Sequence, residues 1–432
     1  MNDFVQKPKP KVGILTTFYN FDSAYSLCSV VKQQLIALIR NGYTPVLFVL
    51  DIFKDEAAVP EGVEIRKIVP QLILEPYGKH ETTNLEADVE RAQNEFEYHM
   101  QDIDVMLCHD IIFINSYLPY NLALRKATET TLTNVKWLHW MHSGPSNRVI
   151  NGSVWDNLYT LPKNSRLVYM NYTDVLRAAE HYGAWEKDVR TIFNPMDVRE
   201  LHNFHPITRA LIDRYDLMSP DILITYPLST TRMGAGGKQL DRVIWIAGEL
   251  KKLGKSVRLV VCNAHANADR EKEAIEDMYS LATTFGLERR EVVFTSLFDK
   301  PKLESGVPHE VVRDLLLLGN VFIFPSVSEN CPLVLLEAMA SKNLLVLNQS
   351  FPAMKDFAGN GAQYFRFGSL VDDPKYPSGI DLYMSDIAKI IVSELNTNRV
   401  LQANTTVRKI FNVDYIFKQQ LEPAIMEIYY GN

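Results

Sequence analysis

The chain has 432 residues, more than one hydrophobic core ordinarily organises, so two α/β domains suit its length. With 47% apolar and 22% charged residues it can fill buried sheets, which excludes a largely disordered chain. A net charge of -7 disfavours a surface built to follow nucleic acid, and Cys28, Cys108, Cys262 and Cys331 lie too far apart to spell a metal or disulfide framework.

The opening MNDFVQKPKPK has no apolar run before Val12, and no later apolar stretch approaches the ~20 residues a membrane span needs. The expectation is a soluble, cytoplasmic protein without integral membrane association. Asn151-Gly152-Ser153 and Asn171-Tyr172-Thr173 match glycosylation sequons, which without a secretory signal are read as chance. Lys11 to Thr17 (KVGILTT) is a nearly continuous apolar run, the mark of a strand buried on both faces. Val30, Val31, Leu35, Leu38 and Ile39 then recur at helical spacing, Asn41-Gly42 stops the helix, and Pro45–Leu50 gives the next strand.

The alternation continues through Val63–Val69, a polar helical stretch around Leu85–Met100, Val105–Cys108, Val135–Trp140, Leu167–Met170 and Val189–Phe193. After the polar stretch His202–Ser219 a second series begins at Ile222–Tyr226. It runs through Val257–Cys262, Val292–Thr295, Val321–Pro325, Leu344–Asn348 and Gln363–Phe367. This pattern predicts an α/β chain of two Rossmann-like, doubly wound parallel sheets. Residues 1–200 form the first domain, 201–410 the second, and 411–432 a terminal helix able to cross back to the first. Ligands of such sheets bind beyond the carboxyl ends of the strands, so two facing domains would enclose a cleft there.

Val321 to Ala340 (VFIFPSVSENCPLVLLEAMA) reads as strand, Pro-Ser turn, loop and helix. Glu329 falls in the loop and Glu337 in the helix, where Leu333, Leu336 and Ala340 are expected to pack on the sheet. Backbone amides at Cys331, Leu333 and Val334 stand at the helix start, where unpaired donors make an anion site. In ILITYPLSTTRMGAGGKQLDRVIWIAGEL, Arg232 and Lys238 bracket a glycine-rich loop between strand and helix. GAGGKQ lacks the earlier glycine and the Ser or Thr of an ATPase phosphate loop, and Gln239 breaks the dinucleotide fingerprint.

In the first domain, Trp137 to Pro145 (WLHWMHSGP) runs off a strand into a turn that carries His142. His139, three residues earlier, belongs on the opposite face, against a shared metal site. Asp102-Ile103-Asp104 has a metal-binding spacing but stands at the start of a strand, so no metal ligands are expected. Each candidate has an ordinary alternative: a solvated or locally paired glutamate, an exposed basic residue, a packed histidine.

Together the strand, the Pro-Ser turn, the two glutamates and LLEAMA resemble the signature of the retaining GT-B glycosyltransferases, the group 1 or family 4 type, whose loop is often E-G-F-G-L or E-x-x-P-L. The resemblance implies that Glu337 accepts hydrogen bonds from the donor ribose and Glu329 contacts the transferred sugar. It implies further that Asn330, Cys331, Leu333 and Val334, with Gly236 and Gly237, hold sugar and diphosphate, that Arg232 and Lys238 face the diphosphate, and that His142 lies near the donor sugar. Three departures stand out: Phe18–Ser26 (FYNFDSAYS) replaces consecutive glycines, five residues separate Arg232 from Lys238, and IFNPMD carries Pro195 where the family has glycine. The expected activity is metal-independent transfer, with retention, from a nucleotide-diphosphate sugar. A UDP-sugar is the first donor to consider, and no other cofactor is implied. The acceptor hydroxyl could belong to a glycan, a lipid-linked sugar, a metabolite or a hydroxymethylated nucleic-acid base. Two alternatives stay open: a non-catalytic partner subunit that binds nucleotide sugar, and an epimerase or hydrolase of the same fold.

Overall fold

The computed structural model describes residues 8–22, 24–72, 84–142, 156, 159–233, 237–327, 329, 332–368 and 380–431. The chain divides into two compact units, Met1–Asp197 with Phe411–Asn432, and Val198–Ile410.

Seven strands among the described residues form one parallel sheet in the first unit: β1 (Val12–Leu15), β2 (Val46–Leu50), β3 (Glu64–Val69), β4 (Val105–His109), β5 (Lys136–Trp140), β6 (Ser165–Tyr169) and β7 (Val189–Thr191). Their order is β3-β2-β1-β4-β5-β6-β7. Every residue of β1 and β4 is buried, which is why Val12–Leu15 and Val105–Cys108 read as apolar runs; His109 ends β4 and is buried too. Alternate side chains of β5 serve two cores. Trp137 packs with Phe48, Phe96 and Tyr120 on one face, while Leu138 and Trp140 pack with the helix Ser26–Arg40 on the other. That helix buries Val30, Val31, Leu35 and Leu38, only partly covers Ile39, and ends where Gly42 turns left-handed at φ 74°. Val413, Ile416, Phe417, Leu421 and Ile425, from the end of the chain, complete this second core.

Six strands among the described residues build the sheet of the second unit: β8 (Ile222–Ser229), β9 (Val257–Ala264), β10 (Val292–Phe294), β11 (Val321–Phe324), β12 (Leu344–Asn348) and β13 (Ala362–Phe365). They too are parallel, in the order β10-β9-β8-β11-β12-β13. Each sheet therefore starts in its middle, winds to one side and returns to wind to the other, a Rossmann-like double winding. The switch point lies between β1 and β4 in the first unit and between β8 and β11 in the second. The loops leaving those strands diverge and leave a crevice at the carboxyl edge.

One packing expectation is corrected. In the helix Leu333–Ala340 the buried stripe is Leu335 and Ala338, whereas Leu333 is 66% exposed, Leu336 39% exposed, and Ala340 is exposed as well. LVLLEAMA is apolar almost all round, so periodicity could not choose its face; an i, i+3 pair sets it instead. Among the described residues no helix is long and apolar enough to cross a membrane.

Candidate functional site

β8 ends in a short turn, Thr230–Arg232, whose anchor is the buried Thr230. Its hydroxyl donates to the Ala264 carbonyl (2.6 Å), and the Asn263 amide donates to Thr230 Oγ1 (3.1 Å) and Ser296 Oγ (2.8 Å). The carboxyl ends of β8, β9 and β10 are thereby tied together. Arg232 is exposed and, among the described residues, forms no ion pair. Gly236 lies outside the described residues. Gly237 approaches the Arg232 backbone so closely that a Cβ would sit 3.2 Å from the Arg232 carbonyl oxygen. Its own carbonyl accepts the Val327 N–H at 3.4 Å, joining the β8 loop to the β11 loop across the switch point.

Lys238 follows, with its side chain turned inward. The Tyr226 hydroxyl donates to the Lys238 carbonyl, the ammonium pairs with Glu329 Oε1, and Nζ stands 4.9 Å from the centre of the Phe324 ring. Ser326 donates to the same Glu329 oxygen at 2.7 Å. The Lys238 and Glu329 side chains are 11% and 14% exposed, so two opposite charges neutralise one another in a place largely closed to water. Burial lowers the Lys238 pKa from its usual value, Glu329 works against that, and the positive charge of Arg232 adds to it.

Glu337, 30% exposed, meets a residue that the sequence did not suggest: His309 Nε2 lies 2.8 Å from Glu337 Oε1. His309 opens the helix His309–Leu318, which leads into β11. Helices in such a sheet run antiparallel to its strands, so the start of this one lies at the carboxyl edge; topology, not spacing, was the available signal. Leu333 and the half-buried Val334 form the first turn of the next helix, behind the buried Pro332. Asn330 and Cys331 lie outside the described residues.

In the first unit, His139 and His142 turn to opposite faces. His139 is wholly buried against Trp137 and Phe113, with Nε2 3.1 Å from Ser165 Oγ, and burial holds its pKa down near 3. Just past β5, His142 Nε2 lies 2.9 Å from His109 Nδ1, and His109 Nε2 lies 2.9 Å from Gln34 Oε1. The His142 backbone N–H donates to Asp110 Oδ1 at 3.0 Å. Burial depresses His142 to about 4 and His109 well below the usual histidine value; it raises Asp110 to about 6, against the pull of the His142 N–H. Asp110 also adopts φ 60°, a left-handed conformation uncommon outside glycine. Gln34, His109 and Asp110 were not singled out from the sequence. The signal was His-Asp at the end of the strand beside β1, at the switch point.

Aromatic contacts hold the loop after β1: Phe18 with Phe21 at 5.8 Å, Phe21 with Phe53 at 5.9 Å, and Phe18 with Tyr25 at 6.1 Å between ring centres. Burial first, and Asp110 second, push the Tyr25 hydroxyl up to about 12. Asp102 is engaged by Arg66 (2.7 and 2.8 Å) and Lys11 (2.5 Å), and Asp104 accepts the Lys11 N–H at 2.7 Å. Both sit at the amino edge of β1 and β4. No group of three or more His, Cys, Asp or Glu among the described residues could hold a metal ion.

No family model matches the chain, and no curated protein matches it significantly. Solved structures match along nearly its whole length. A glycosyltransferase from Rickettsia africae is 13% identical, covering 98% of this chain and 100% of that one, with a TM-score of 0.37. Sucrose-phosphate synthase from Thermosynechococcus elongatus is 15% identical over 98% and 100%, also with a TM-score of 0.37. HepE of Anabaena, solved in complex with UDP, is 14% identical over 96% and 100%, with a TM-score of 0.32. Likeness at this level does not decide function, which has to rest on the side chains.

Proposed function

We propose that the chain is a glycosyltransferase of the GT-B type, with the second unit holding a nucleotide-diphosphate sugar and the first serving the acceptor. One observation carries this reading: the buried Lys238–Glu329 pair spans the two loops that flank the β8/β11 switch point. Taking two charges out of water costs several kcal/mol that their attraction only partly repays, so a pair placed at this crevice is a candidate for ligand binding. In this reading the diphosphate takes Lys238 and Arg232 as its cations, Glu329 is freed toward the sugar, and Glu337 leaves His309 for the ribose hydroxyls. Gly237, with Gly236, Asn330, Cys331, Leu333 and Val334, supplies backbone to the same ligand.

Transfer proceeds with retention. The bond from the anomeric carbon to the diphosphate oxygen breaks as the acceptor oxygen bonds to the same face of that carbon. The acceptor proton passes to the departing phosphate oxygen, and the products are the glycoside and the nucleoside diphosphate. Lys238 and Arg232 stabilise charge that grows only as the sugar leaves, so they favour the transition state over the bound donor and need no metal ion for it. Asp110, buried at the switch point of the first unit, is the group assigned to the acceptor hydroxyl.

A nucleotide-release assay over a panel of UDP-, GDP- and ADP-sugars, run in excess chelator, tests the proposal. Release from one of them, dependent on added acceptor and undiminished by chelator, is the expected result. Activity lost to chelator and restored by manganese would remove the metal-independent mechanism; release from no donor would remove the function.

A further inference from the structure

A cavity of about 440 Å³ opens at the amino edge of β5, β6 and β7, wholly within the first unit and at the end of the sheet opposite the switch-point crevice. β5 alone, five residues at ~3.3 Å each, sets those two edges about 16 Å apart. Sheet order assembles the cavity: Lys136 opens β5, Asn164 precedes β6 and Asp188 precedes β7, so three neighbouring strands bring polar side chains to one recess. Trp185 lines it too and is 75% exposed, although so large a ring is ordinarily tucked against its own protein. Much of the frame is fixed. The Asn164 amide donates to the Thr133 carbonyl at 2.6 Å, and Arg125 donates to Thr160 Oγ1 at 3.1 Å and to the Thr160 carbonyl at 2.6 Å. The Asp188 N–H donates to the Trp185 carbonyl at 2.8 Å, and Arg166 pairs with Glu427 at 2.7 Å. The Lys136 ammonium, the Asp188 carboxylate and the Trp185 indole are left over: among the described residues none has a side-chain hydrogen bond, an ion pair or a ring partner.

These leftovers define a ligand. One free positive and one free negative charge, with Arg166 already neutralised by Glu427, leave the recess close to neutral. A phosphate or carboxylate would be repelled by Asp188, and a cation by Lys136. A hydroxyl suits both, since it accepts from the ammonium and donates to the carboxylate. The indole adds a flat apolar face with an N–H at its rim. A pyranose ring matches this set, with a face of C–H groups for the indole and hydroxyls round its edge for Lys136, Asp188 and Asn164. The volume falls within the ~300–1,000 Å³ of small-molecule pockets, with room for a mono- or disaccharide. We propose that this recess binds a neutral saccharide and, resting on the transferase reading, that it holds a remote sugar unit of a glycan acceptor. Such an acceptor is an oligosaccharide, long enough to reach from the reacting hydroxyl to the far edge of the sheet.

Fluorine spectra of the full chain labelled with 5-fluorotryptophan, with the Trp185 line assigned from Trp185→Phe, read the site without any reaction. The probes are neutral disaccharides of gluco, galacto and manno configuration in both linkages, with inorganic phosphate and adenosine beside them. At least one disaccharide should move the Trp185 line and saturate at about 0.1–10 mM. Asp188→Asn should weaken that binding about three- to tenfold. By calorimetry, Trp185→Ala should weaken it tenfold or more, with an unchanged melting temperature because the ring is exposed. A Trp185 line moved by no disaccharide, equal affinity in Trp185→Ala, or tighter binding of phosphate or adenosine than of every disaccharide overturns the site. With an oligosaccharide acceptor that supports nucleotide release, Trp185→Ala should raise KM about tenfold and leave kcat unchanged; an unaltered KM overturns the acceptor role. Nucleotide-sugar binding measured on the same samples separates the two readings. Saccharide bound at Trp185 with no nucleotide sugar bound anywhere leaves the site and removes the transferase with its acceptor role, whereas the reverse removes this inference alone.

Discussion

Lys238 and Glu329 show how a residue can be legible in type and hidden in circumstance. The sequence placed a lysine before a helix and a glutamate in a loop, and each alone could be a solvated surface charge. Only the sheet order brings their loops together, and only the burial of Tyr226, Phe324 and Ser326 makes the pair dry. Lys238→Ala should lower turnover by about 10²- to 10³-fold and donor affinity by much less, because charge on the diphosphate grows as the sugar departs. It should also lower the melting temperature, since Glu329 is left without its cation. Single-turnover rates and donor titrations separate the two effects. Glu337→Gln should behave the other way. Loss of charge-assisted hydrogen bonds to two hydroxyls should weaken donor binding by about 10- to 100-fold. The melting temperature should scarcely move, because the partner Glu337 has here is His309, 70% exposed. Intact donor binding with a sharply lowered melting temperature would make Glu337 a structural residue.

At the scale of the element, the ends of β4 and β5 govern pH behaviour. Asp110 titrates near 6 in the folded chain against an ordinary 3.8, so the folded state binds more protons between those values. Its contribution to stability is therefore greatest below that window and declines as pH rises through it, leaving a cost of about 3 kcal/mol above pH 6. Asp110→Asn should raise the melting temperature at pH 7.5, lose that advantage at pH 4, and reduce acceptor use if Asp110 serves the acceptor. The histidines have the opposite sign. His109, His139 and His142 are all held neutral by burial, so stability present above the unfolded value near 6.5 is lost as pH falls. Three such groups give a slope of at most ~4 kcal/mol per pH unit, which outweighs the single carboxyl. Urea melts from pH 7.5 to 4.5 should show the first unit weakening steadily; a flat profile would contradict the assigned burial.

The strands themselves were readable because a parallel strand covered on both faces must be apolar along its length. Which strand lies beside which was not, since alternation of strand and helix leaves the winding order open. That is why His109 and Asp110 passed as the end of VMLC and were not recognised at the switch point. For the same reason the nearly uniform LVLLEAMA gave a helix but not its face. His309 was hidden by distance in sequence, 28 residues from its partner Glu337.

At the scale of the whole molecule, the first unit is finished by the last segment of the chain. Val413, Ile416, Phe417, Leu421 and Ile425 are buried in the core of β1, and at ~1.5–3 kcal/mol each they contribute on the order of 10 kcal/mol, comparable with the ~5–15 kcal/mol that holds a domain together. A chain ending at Ile410 should lose the cooperative melting of the first unit while keeping that of Val198–Ile410. Limited proteolysis should then leave a resistant fragment beginning near Val198. The second unit is also where the proposed function stands or falls. The most direct measurement is a thermal-shift titration of the full chain with a panel of nucleotide sugars, repeated on Glu337→Gln. A ligand that binds only the folded state adds about 2.7 kcal/mol at 100 times its dissociation constant. One nucleotide sugar should raise the melting temperature of the wild type and do so at about 10- to 100-fold higher concentration in Glu337→Gln. No shift with any nucleotide sugar, or an equal shift in both proteins at equal concentration, would contradict a donor site at the β8/β11 switch point.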